Sequence, residues 1–75
     1  MSNLPVREQT ILNMLRNSDE SIAVWIIAAE LAQRGDAVTL ADCLDAIIAL
    51  VERGWIQQSS SGEHLYELTP LGKKP

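Results

Sequence analysis

The sequence predicts an α+β fold, three helices followed by a two-stranded β-hairpin, and three observations carry that reading. Residues 39–53 repeat Leu40, Leu44, Ile47 and Val51 at helical spacing, so one apolar stripe is available to pack on the rest of the chain. Ile56-Gln57-Gln58 and His64-Leu65-Tyr66-Glu67-Leu68 are short strand-like runs, and the polar, Gly-containing Ser59-Ser60-Ser61-Gly62-Glu63 between them has the chemistry of a hairpin turn. Two earlier apolar segments, each closed by a polar or glycine break, supply the other helices. Seventy-five residues suffice for one small core, so a single domain over residues 1–75 is expected.

Taken in order, Pro5 suits an early helical position, where its missing N–H costs nothing, with Asn3 or Leu4 outside the helix. Over residues 6–17, Ile11 and Leu15 stand four apart with Leu12 beside them, while Arg7, Glu8, Asn13 and Arg16 face water. Residues 17–21 form a polar break rich in capping and turn residues. Residues 22–34 pose a problem: as one helix, Ile22, Val24, Trp25, Ile26, Ile27 and Leu31 would spread around the whole circumference. Either the first few residues are extended and the helix starts near Trp25, or the segment is fully helical and its second apolar side meets another subunit. Gly35 ends this helix, and Asp36-Ala37-Val38 is a tight turn into the next. Thr39 is then a good N-cap, with Asp42 placed to reach back to the cap's amide and to meet the positive end of the helix dipole. Arg53 lies in the last turn, and Gly54 supplies the left-handed residue that stops the helix. Beyond the hairpin, Thr69 can cap and Pro70 can begin a helical turn.

A helix closing on Glu-Arg-Gly-Trp-Ile, then a hairpin closing on Tyr-Glu-Leu-Thr-Pro-Leu-Gly, resembles the recognition helix and wing of winged helix-turn-helix proteins. Leu68-Thr69-Pro70-Leu71-Gly72 looks in particular like the corresponding stretch of MarR-type and PadR-type regulators. The resemblance covers residues 25–72 and implies a small strand just before the second helix, paired with the wing. That favours the first solution for residues 22–34: Ser21 to Val24 extended, with Ile27, Ala28 and Leu31 on one helical face and Glu30, Gln33 and Arg34 on another. It also implies a DNA-binding transcription regulator, acting as a dimer. In the resembled regulators a long dimer-forming helix starts near the position of Pro70, and residues 71–75 leave no room for one, which puts that mode of dimerisation in doubt.

Composition narrows the function. Hydrophobic content of 47% against 21% charged residues describes a folded chain, not a disordered one. A net charge of −4 and a pI near 4.7 argue against general affinity for nucleic acid or anionic membrane, since both need clustered cations. The single cysteine, Cys43, excludes an internal disulfide and fits a reducing compartment. The N-terminus has neither a basic leader nor an apolar core of signal length, and the longest apolar run, residues 22–29, is far short of the ~20 residues a bilayer requires. A cytoplasmic protein with no membrane segment is expected.

If the fold reads DNA, the positions that would enter the major groove are Thr39, Ala41, Asp42, Asp45 and Ala46, and none is basic. Between Ser18 and Glu52, Asp19, Glu20, Glu30, Asp36, Asp42, Asp45 and Glu52 face Arg34 alone. An acid can accept a hydrogen bond from cytosine, and Thr39 can meet phosphate or a thymine methyl. The plainer reading makes Asp42 a cap and Asp45 a solvated side chain. Each unpaired carboxylate about 4 Å from phosphate is repelled by ~1 kcal/mol even in water, comparable to a good base contact. In the wing, Gln57, Gln58, Ser60 and His64 offer neutral or titratable groups for the sugar–phosphate backbone, and Lys73 and Lys74, with Arg53, form the one basic cluster.

Neither His64 nor Cys43 has a partner suggesting metal binding or catalysis, and phosphate loops, paired-acid sites and Ser/His/Asp sets are absent from the sequence. No enzyme activity, cofactor, metal or small-molecule substrate is expected. Trp25 and Trp55 read as core residues, with Trp25, Ile22 and Ile26 the choice for an interface. Two functions follow: a small winged-helix DNA-binding regulator, placed ahead by resemblance, and an acidic winged-helix module that docks on a protein partner without binding DNA, favoured by charge.

Overall fold

Pro5 takes the N-cap position with φ −54°, and the chain turns at once into α1, Val6–Arg16. Its Ile11, Leu12 and Leu15 face inward as their spacing requires. In this computed structural model, which describes residues 4–18 and 20–73, α1 is followed by β1 (Ile22–Ala23), α2 (Val24–Gln33), α3 (Leu40–Glu52), β2 (Ile56–Gln58) and β3 (Leu65–Leu68). The expected position of Asn3 and the residue Asp19 of the polar break lie outside the described residues.

The crowded segment after the break is relieved as the resemblance implied. Ile22 and Ala23 are extended and pair antiparallel with Tyr66 and Leu65, and the Val24 amide donates to the His64 carbonyl at 2.9 Å. β2 pairs with the other edge of β3, Ile56 opposite Leu68 and Gln58 opposite Tyr66, giving a three-stranded antiparallel sheet in the order β1-β3-β2. Strand β3 begins at Leu65, with His64 left in the turn. With β1 extended, α2 starts at Val24 and keeps Val24, Ile27 and Leu31 inward.

The third helix starts as its sequence dictates: Thr39 Oγ1 accepts from the Asp42 amide at 3.0 Å, and Asp42 Oδ2 accepts from the Thr39 amide at 3.4 Å. This reciprocal cap satisfies two amides that otherwise have no helical partner. Gly35 and Gly54 take φ of +92° and +79° and end α2 and α3 in the left-handed conformation.

Along α3, however, the buried stripe is not the expected one. Cys43, Ala46, Ile47 and Leu50 are buried, whereas Leu40 and Val51 are exposed and Leu44 is only half-buried. The helix is turned by about 80°, a little under a quarter of a revolution, from the expected edge. Packing by both α1 and α2 selects the arc that the small Cys43 and Ala46 let come close. The core therefore joins Ile11, Leu12 and Leu15 of α1, Val24, Ile27 and Leu31 of α2, those four α3 residues and Ile56 of β2. Trp55 packs partly buried on this cluster, but Trp25 is 54% exposed and is not a core residue. Glu8, expected to face water, has a side chain only 13% exposed.

The Leu-Thr-Pro-Leu-Gly stretch works as a clasp. The Thr69 amide donates to the Trp55 carbonyl at 3.0 Å, Thr69 Oγ1 donates to the Gly54 carbonyl and accepts from the Gly72 amide, and Arg16 Nε donates to the Gly72 carbonyl at 3.2 Å. The turn thus ties α1, the end of α3 and the exit of β3 together. A Cβ on Gly72 would fall within the Trp55 carbonyl. Because backbone must shift to admit it, Gly72→Ala is expected to destabilise the fold by about 1–3 kcal/mol, read as a lower urea midpoint with an unchanged slope. An unchanged midpoint would show that the clasp is not held.

Candidate functional site

At 100° per residue, the residues of α3 that do not enter the core divide into two flanks. Leu40, Leu44, Ile48 and Val51 share one, with Leu40 53%, Ile48 51% and Val51 38% exposed. Asp42 and Asp45 lie on the other, and Ala41 and Glu52 fall between. Neither flank carries a lysine or arginine, and neither do the strands or turn of the hairpin. The outward face of this helix is half apolar and half acidic.

The acidic flank borders a recess of about 440 Å³ between α1 and α3, lined by Arg7, Glu8, Asp36, Asp42 and Asp45. Arg7 does not neutralise it as a whole, being committed to Asp36 through Nε–Oδ2 at 2.8 Å and Nη2–Oδ1 at 2.9 Å. That two-pronged hydrogen bond holds the Asp36 carboxyl below its ordinary value. Among the described residues Glu8 Oε1 is buried without a hydrogen bond, and Arg53 Nε approaches it at 3.8 Å. The other arginines are engaged too: Arg34 with Glu30 at 3.0 Å, Arg16 with the Gly72 carbonyl, and Arg53 with its guanidinium carbon 5.4 Å from the Trp55 ring centre. Arg53 is thus occupied by Glu8 and Trp55, while Lys73 is exposed and Lys74 lies outside the described residues.

Among the positions expected to meet DNA, Thr39, Ala41, Asp42 and Asp45 are exposed. Ala46 is 7% exposed and belongs to the core, so it cannot reach a groove: it sits one turn from Cys43 and Leu50 on the buried arc. In the hairpin, Gln57, Gln58, Ser60 and His64 are exposed, but Gln57 Nε2 donates to Glu67 at 2.8 Å and Gln58 Nε2 to the Glu63 carbonyl at 2.9 Å. Of the residues chosen for an interface, Trp25 and Ile26 are exposed, and Ile22 is half-buried against the core. The Trp25 and His64 rings meet at 5.7 Å, tilted by 58°, linking the start of α2 to the wing turn.

Chemically reactive arrangements are not what the site offers. Cys43 is buried, and desolvation pushes its thiol up, away from thiolate character. Among the described residues no group of three His, Cys, Asp or Glu could hold a metal, and no helix is long and apolar enough to cross a membrane. The sequence reading missed Ile48 and misplaced Leu40 and Val51. The signal was present: six large apolar residues from Leu40 to Val51 cover too wide an arc for one buried stripe, the same argument that resolves residues 22–34.

No family model matches the chain, and no curated protein matches it. Among solved structures, a zinc uptake regulator complexed with zinc and DNA matches 97% of this chain with a TM-score of 0.80 at 19% identity. The chain spans 48% of that regulator's length. This likeness shows the winged-helix fold, as the recognition helix and wing implied; the narrower likeness to MarR-type and PadR-type regulators gains no support from it.

Proposed function

We propose that this chain is a winged-helix interaction module of a regulator, a single non-enzymatic domain that docks a protein on the outward face of α3. The observation that carries the reading is the pairing of an exposed apolar flank, Leu40, Ile48 and Val51, with an acidic one, Asp42 and Asp45, on the helix that would otherwise enter a major groove. An apolar surface gains by leaving water for another apolar surface, while carboxylates lose by approaching phosphate. Trp25 and Ile26 extend the apolar surface available to a protein on α2.

The second reading, a DNA-binding regulator, is supported by the fold match to a regulator solved on DNA. It would place Thr39, Ala41, Asp42 and Asp45 in the groove, with Gln57, Gln58, Ser60, His64, Lys73 and Lys74 along the backbone. One experiment separates the two: a photoreactive residue at position 48, irradiated in the cell of origin, with exposed position 13 as control. A discrete protein adduct from position 48 and none from position 13 is expected. An adduct to nucleic acid at position 48 would overturn the interaction reading in favour of the second.

A further inference from the structure

We infer that the partner received by α3 is a basic amphipathic helix, a proposal that rests on the interaction reading. The face is linear: Leu40, Leu44, Ile48 and Val51 recur at intervals of four, four and three along a helix of 13 residues, about 20 Å long. A ridge with that spacing is the surface into which a second helix sets its own residues at i, i+3, i+4 and i+7. Charge selects the kind of helix. Glu52 and Asp45 border the ridge on one side, about 85° and 105° around the helix from its middle, and both are exposed. A lysine or arginine on the flank of an incoming helix would meet these two carboxylates.

A second copy of this chain is a poor occupant. Two such faces would bring Asp42, Asp45 and Glu52 of one copy near the same acids of the other, in a chain already at −4. An acidic helix fails for the same reason. A basic helix satisfies both flanks at once.

The test uses two fluorescent helical peptides of about 18 residues, each with leucines along one face, flanked by lysines in one and by glutamates in its twin. Anisotropy titrations are expected to show micromolar binding of the lysine peptide, weakened about tenfold by Ile48→Ser and by Asp45→Lys and also by raising salt from ~50 to ~300 mM. The glutamate peptide should not bind. Both substitutions are at exposed positions, and an unchanged circular dichroism spectrum confirms that each variant folds. Equal binding of the twins, or lysine-peptide binding indifferent to Ile48→Ser, overturns the proposal. So does a sedimenting dimer of the wild type that Ile48→Ser dissolves. Glutamate-peptide binding lost in Ile48→Ser overturns the partner's charge while leaving the docking reading intact. Failure of both peptides together with duplex DNA held through α3 overturns the docking reading itself.

Discussion

The wild type is expected to leave random duplex DNA unbound at ~50 mM salt, and replacing Asp45 and Glu52 together by lysine is expected to bring binding into the micromolar range. Both residues are exposed on α3, and neither takes part in the cap, which needs Asp42. Each exchange removes a repulsion of ~1 kcal/mol and adds an attraction of similar size, so the pair shifts binding by ~4 kcal/mol, on the order of a thousandfold. The slope of log affinity against log salt should steepen by about 2, the signature of two added phosphate contacts. Wild-type binding already micromolar at that salt would show that the fold engages DNA without cations on α3, and the second reading would lead. No gain in the double variant would show that α3 does not face the duplex.

That variant also separates fold from function. The winged-helix backbone is present, but α3 carries no lysine or arginine. Thr39 and Asp42 were legible because capping depends on neighbours three residues apart, and the structure closes both bonds. Gly35 and Gly54 were legible for a related reason, since only a local backbone demand decides them. Strand β1 was not legible from propensity: two residues long, it is fixed by Tyr66 and Leu65 more than forty positions away. Family resemblance supplied what local pattern lacked.

The site was less legible than the fold, and the reason is long-range packing. Arg7 and Asp36 are 29 residues apart, so nothing local marks Arg7 as taken or Asp36 as a clamp between α1 and the turn before α3. Glu8 sits on a face that periodicity assigns to water, yet α1 and α3 close over it. The acids of α3 could be read from sequence alone; that they stand beside an exposed apolar ridge could not, because the rotation of α3 about its own axis depends on which small residues admit its neighbours.

That rotation makes an unequal pair of alanine substitutions the most direct check on the architecture. Ile47→Ala is expected to cost about 3–4 kcal/mol, since Ile47 is 0% exposed and its loss leaves a cavity that α1 and α2 cannot fully close. For a domain of this length, total stability is on the order of 4–11 kcal/mol, so the midpoint of thermal unfolding should fall by roughly 15–25 °C. Val51→Ala, made at a position 38% exposed, should cost less than about 1 kcal/mol and move the midpoint by only a few degrees. Had the helix packed on the edge that its leucine and valine spacing suggested, the two losses would be similar. Comparable midpoints for the two variants would mean that Val51 is covered after all. The exposed ridge on α3, and the docking face built on it, would then not exist.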